Sequence, residues 1–188
     1  MAGEIIYDNG VGLTANTAGA SGQSLLSGGA GAPTWGVANT LGFSAYASAA
    51  LSNVTGDNTF YQVVFNTTVR NDGTMYNTST GLLTIPNTGM WSFAASTQIT
   101  GMTIGSYTFY SLLFELNTGA QIGRLAGNAD SISFLGGQCN IITSTLIQLT
   151  AAQTVVVRFQ VAGGAKTVSM ASAAASYQTR FSGCLIGV

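Results

Sequence analysis

The sequence contains no histidine, and its five Lys and Arg and six Asp and Glu make up only 6% of 188 residues, where soluble domains average about 25%. Without imidazole there is no Ser-His-Asp or Cys-His nucleophile system and no histidine-ligated metal. The acids are Glu4, Asp8, Asp57, Asp72, Glu115 and Asp130. Glycoside hydrolysis needs two carboxylates flanking one bond, yet Glu4 and Asp8 lie in an N-terminal tail and Asp72 sits in the turn tripeptide Asn71-Asp72-Gly73. A non-enzymatic chain is expected; a polysaccharide depolymerase, the least favoured alternative, would have to work through Asp57 or Asp130. Arg70, Arg124, Arg158, Lys166 and Arg180 are scattered and balanced by acids, so no nucleic-acid surface is expected. Cys139 and Cys184 are too few and too far apart for a disulfide framework or a metal knuckle. They are expected to be small buried apolar residues, with a single bridge between them left open by the sequence. No run reaches the roughly 18 apolar residues that would cross a bilayer, and MAGEIIYDNG has neither the basic nor the apolar region of a secretion signal.

Hydroxyls and amides take the place of charge. The chain has 63 Ser, Thr, Asn and Gln residues, which must solvate a surface that Lys and Glu normally cover. With little long-range repulsion, much of that surface is free to be covered by copies of the same chain, so a homo-oligomer is expected. Residues 1–40 read as a shaft or linker segment, since GVGLTANTAGASGQSLLSGGAGAPTWG is too poor in apolar side chains to offset its own ordering entropy. Leu25, Leu26 and Trp35 are unusual in a solvated linker and suit packing against symmetry mates. Residues 41–188 read as one globular head. Its apolar residues repeat every second position: Tyr61, Val63, Phe65, Thr67 and Val69; Leu112, Phe114 and Leu116; Val155, Val157, Phe159 and Val161. Turn chemistry interrupts these runs at Asn71-Asp72-Gly73, Pro86-Asn87-Thr88-Gly89, Asn117-Thr118-Gly119, Gly136-Gly137 and Gly163-Gly164. Many short strands with such breaks predict an all-β sandwich or barrel.

The closing RFSGCLIGV alternates Phe181, Gly183, Leu185 and Gly187 with Arg180, Ser182, Cys184 and Ile186. Together with FSAYAS at 43–48, YQVVFNTTVRNDGTMYN at 61–77, GLLTIPNTGMWSF at 81–93, SLLFELNTG at 111–119 and ITSTLIQLTAAQTVVVRF at 142–159, it resembles the globular head of complement component one q. That head is the trimeric jelly roll shared with tumour necrosis factor. The resemblance implies a homotrimeric jelly-roll β-sandwich over 41–188. GASGQSLLSGGAGAPTWG is similar to linkers of phage tail fibres and bacterial fibre-like surface proteins, which join a shaft to a terminal knob. The two resemblances imply an extracellular, cell-surface or virion fibre carrying a trimeric tip that recognises a cell-surface glycan or protein. The alternative is a purely structural trimerisation cap.

Further expectations follow for the site. With the family's up-and-down parity, loops 48–59, 86–89, 117–138 and 162–176 lie at the distal end, and Arg124, Asn128, Asp130 and Lys166 are the expected ligand contacts. Some relatives bind calcium near the trimer apex, which makes Asp57 and Asp130 candidate ligands, although the sequence has no Asp-x-Asp-x-Asp-Gly loop. No other cofactor is expected. Phe65, Trp91, Phe93, Phe109, Tyr110, Phe114, Phe159 and Phe181 are expected in strands, as core or as a dry column shared by three copies.

Overall fold

The computed structural model describes residues 5–8, 10–21, 23–28, 31–36, 41–103, 105–129, 138–172 and 179–187. They fall into two compact units, Met1–Thr40 and Leu41–Val188. The first holds two hairpins, β1 (Ile5–Asp8) with β2 (Leu13–Asn16) and β3 (Ser24–Gly28) with β4 (Gly31–Gly36).

The second unit contains β5 (Gly42–Tyr46), β6 (Leu51–Thr55), β7 (Tyr61–Gln62), β8 (Thr67–Asn71), β9 (Leu83–Thr84), β10 (Gly89–Thr100), β11 (Phe109–Leu116), β12 (Gln121–Asn128), β13 (Cys139–Leu149), β14 (Thr154–Ala162), β15 (Val168–Met170) and β16 (Arg180–Gly187). Among the described residues the only helical element is a 3-10 turn at Asp72–Thr74. In the seven-stranded sheet, β10 pairs with β13 on one edge and with both β16 and β15 on the other; β16 continues to β5 and β8, and β15 to β6. The five-stranded sheet runs β12-β11-β14, with β7 and β9 sharing the free edge of β14. All these pairings are antiparallel. The result is a jelly roll, two sheets closing over one core.

The period-two pattern explains the sandwich. In β10, Trp91, Phe93, Ala95, Thr97 and Ile99 are buried while Met90, Ser92, Ser96 and Gln98 are only partly so. In β14, Val155, Val157, Phe159 and Val161 enter the core from the opposite sheet. Phe181 of β16 is the hub: its ring lies 4.7 Å from that of Phe43, 5.7 Å from Phe114, 5.8 Å from Phe65, and 6.0 Å from both Tyr76 and Phe93. Burial pushes the Tyr76 phenol up to about 12, and its hydroxyl accepts the Phe65 N–H at 3.0 Å. Trp91 stacks on Phe93 and donates its indole N–H to the Asn87 carbonyl at 3.1 Å, which closes the Pro86–Gly89 bend. These aromatics are consumed inside one copy. Phe65, Trp91, Phe93, Phe114, Phe159 and Phe181 therefore do not form the column between copies that the sequence suggested.

Leu41 accepts the Leu185 N–H at 2.9 Å, and Gly89 stands opposite Leu149, so the head's entry point shares a pole with the end of β16 and the start of β10. The β6–β7, β10–β11 and β14–β15 connections gather at the opposite pole, where β12 ends and β13 begins.

Candidate ligand-binding pole and assembly face

Three connections at the far pole are locked together around Tyr107. This buried side chain shares a 2.6 Å hydrogen bond with Thr167 Oγ1 and donates to the Ala165 carbonyl at 3.1 Å. Its ring fills the space beside Gly164, where an added Cβ would come within 2.4 Å of Tyr107 Cε1. Gly56, at φ +130°, leaves no room for a Cβ either: the atom would lie 1.9 Å from the Ala165 oxygen. Gly164 N–H bonds to the Gly56 carbonyl at 3.0 Å, and Gly56 and Asn58 both donate to the Val161 carbonyl, at 3.2 and 3.0 Å. Gln160 Nε2 then grips Asn58 twice, at its carbonyl (3.1 Å) and its Oδ1 (2.7 Å). These bonds tie the Gly56–Asn58, Tyr107 and Gly164–Thr167 backbones to one another without a ligand, which lowers the ordering cost of binding there.

On this frame stand exposed groups of different chemistry. Asp57, Asn58 and Phe60 project from the β6–β7 connection, and Lys166 from the β14–β15 connection. Hydrogen bonds from Thr59 hold the Asp57 carboxyl below its usual range, with a weaker pull from Lys166, so it is ionised at neutral pH. Phe60 is 43% exposed, a large apolar face among a carboxylate, an amide and an ammonium. Such a set can hydrogen-bond and stack on a polar ligand.

Of the expected ligand residues, Lys166 lies on this pole and Asn128, the last residue of β12, faces Phe109 beside it. Arg124 is not in a loop. It lies mid-strand in β12, and its guanidinium carbon reaches along the sheet to 5.0 Å from the centre of the Phe109 ring. Phe109 is accordingly only half-buried, a cation–π shelf at the shoulder of the pole. Asp130 lies outside the described residues, as does Gly136-Gly137. Two loops belong elsewhere: 86–89 sits at the Leu41 pole because it leads into the start of β10, opposite the ends of β13 and β16, and 117–120 sits there because Gln121–Asn128 is a strand that returns the chain before the next connection. Asn58, Phe60, Tyr107 and Thr167 were not anticipated. The Thr55-Gly56-Asp57-Asn58 turn was the available clue. Among the described residues, no three Asp, Glu, Cys or His side chains gather where one ion could join them; Asp57 Oδ1 instead accepts the Thr59 N–H at 3.2 Å.

A second surface is the outer face of the seven-stranded sheet. Its β13 presents Ile142 and Leu146, 63% and 61% exposed, and Ile186 and Val69 are also bare. Beside this ridge a depression of about 210 Å³ is lined by Phe43, Ser92, Ala94, Ser182, Gly183 and Cys184. An aliphatic ridge next to a groove floored by small residues is a shape that a second copy can complement. Cys184 is exposed there rather than buried as expected, and Cys139 is half-buried; both are free thiols. Burial raises the Cys139 thiol above its usual value.

The sheet order and core define a jelly roll of the kind found in tumour necrosis factor and complement component one q. A C1q domain family model matches residues 43–186, and the chain belongs to that family. Solved structures show the same fold. Murine APRIL at pH 5.0 superposes with a TM-score of 0.55 at 9% identity, covering 79% of this chain and 100% of that one. Eiger TNF from S. frugiperda gives 0.54 at 11% identity, covering 78% and 91%. No curated protein sequence matches the chain. Domains of this kind are generally non-enzymatic ligand-binding modules, typically homotrimeric and extracellular. No helix among the described residues is long and apolar enough to cross a membrane.

Proposed function

We propose that this chain is the trimeric receptor-binding tip of a fibre, on a phage tail or a bacterial surface, which recognises a cell-surface glycan or protein through the pole opposite Leu41. The Tyr107 clasp carries this reading: it ties the β10–β11 connection to the two connections that flank the paired strands β6 and β15, and Asp57, Asn58, Phe60 and Lys166 stand exposed on it. Asn128 and Arg124, the latter held on Phe109, extend the surface along the shoulder. Association through the outer face of the seven-stranded sheet would present three such poles together. Three linked weak sites can gain about 10² to 10⁴ in apparent affinity with no new contact.

Binding of the full chain to a glycan array and to target-cell surfaces tests the proposal. Phe60→Ala, Lys166→Ala and Arg124→Ala are expected to reduce binding while the oligomer stays intact. The exposed ridge at Ile142 and Leu146 favours assembly whether or not a ligand exists. Intact oligomers that bind no glycan and no cell surface would therefore support the trimerisation cap and overturn the receptor-binding reading.

A further inference from the structure

Among its described residues the N-terminal unit has strands but no buried side chain. Every described residue of 5–36 is exposed or half-exposed, including all four strands. Ile6 and Leu13 are bare, and so is Val11 at 97%. Two-stranded hairpins are marginal in water, and a segment of about 40 residues without a core lacks the burial to hold itself together. Yet this segment is specifically built. Trp35 donates its indole N–H to the Thr17 carbonyl at 2.6 Å, and Asn16 Nδ2 donates to the Pro33 carbonyl at 2.6 Å, so the second hairpin is tied to the chain leaving the first. The indole lies flat on Gly19, where an added Cβ would be 2.5 Å from Trp35 Cδ2. In the same way, Leu26 covers Gly36, at 2.5 Å from the corresponding position. A flexible linker has no use for glycines that serve as seats for particular side chains.

We infer that residues 5–36 are a second assembly surface, which becomes ordered only when the same segments of other copies supply the missing interior. Charge points to the occupant. Beyond Glu4 and Asp8, residues 9–40 contain no Asp, Glu, Lys or Arg, so nothing in that stretch selects or repels a charged partner, and its exposed apolar and hydroxyl groups match a surface of their own kind. Connectivity points the same way. Each head receives its N-terminal segment at Leu41, on one defined pole, so heads joined symmetrically hold their segments at high local concentration. The inference rests on association of the head, but it adds a separate claim: the N-terminal unit folds with copies, not by itself and not as a spacer.

Amide hydrogen exchange on the full chain tests it. Residues 5–36 are expected to be protected in the wild-type oligomer. They should lose protection on dilution to monomer and in Leu146→Arg, which places a charge on the exposed β13 ridge, while 41–187 stays protected in both. Trp35→Ala and Gly19→Val are expected to lower the oligomer's dissociation temperature and to speed exchange in 5–36 without altering exchange in the head. Protection of 5–36 in the monomer would overturn the inference, because the unit would then fold alone. So would rapid exchange in a wild-type oligomer, which would make it a spacer and leave the receptor-binding tip standing. A wild-type chain that never associates would overturn both readings.

Discussion

Phe181 touches five other aromatic rings drawn from both sheets and the intervening loops, so its removal opens a cavity that no single strand can close. Phe181→Ala is expected to cost about 3–5 kcal/mol of stability, read as a fall in the denaturant midpoint. A change below 1 kcal/mol would mean that the cluster repacks freely and the hub is misassigned. Asp72 acts differently. Its Oδ2 accepts Arg70 Nε at 2.8 Å and the Gly42 N–H at 3.0 Å, tying the start of β5 to the end of β8. The Arg70 guanidinium holds the Asp72 carboxyl below its ordinary value of 3.8. A depressed carboxyl contributes its full stabilisation above the unfolded value and loses it as pH falls through the folded one. The wild type should therefore destabilise more steeply than Asp72→Asn below pH 3.8, and parallel acid curves would remove Asp72 from the account. Because the pair is solvent-exposed, the difference will be small.

At the scale of elements, the Tyr107 clasp joins three connections through a hydroxyl and a ring. Tyr107→Phe keeps the ring and deletes the bonds to Thr167 and Ala165, for an expected loss of about 0.5–1.5 kcal/mol. Faster amide exchange should be confined to the β6–β7 and β14–β15 connections; unchanged exchange there would show that packing alone fixes the pole. Most of this architecture was legible in the sequence, since the alternation of Val155, Val157, Phe159 and Val161 marks a strand whose one face enters the core, although Val156 and Gln160 are buried on its other face. β12 was not. QIGRLAGN has only Ile122 and Leu125 to signal a strand, because Gly123 lies where a Cβ would be 2.8 Å from Thr145 and 3.0 Å from Phe114. A residue chosen by contacts across the sheets leaves no local periodicity to read. Missing β12 placed Asn117-Thr118-Gly119 at the wrong pole and Arg124 in a loop. The candidate site was legible only in part, through Lys166 and Asn128. Phe60 and Tyr107 gain their roles from chain crossings far apart in sequence, which bring Gly56, Gly164 and Tyr107 together.

For the whole molecule, the core aromatics stabilise each copy, and the proposal gives the separate task of joining copies to the exposed aliphatic ridge. Charge on the outer face of the seven-stranded sheet is sparse, with Arg70 paired to Asp72 and Arg180 at the first position of β16, so little repulsion keeps copies apart there. Cys184 reports on that face directly: exposed in a single chain and lining the groove, it should resist alkylation in the oligomer and react in Leu146→Arg. Equal reactivity in both would place the contact elsewhere. The central claim is that the head assembles in threes and presents its locked poles together. Sedimentation equilibrium of the full chain tests it most directly. The account predicts one species of three times the 19.2 kDa chain mass; a stable monomer of 19.2 kDa across micromolar concentrations would contradict it.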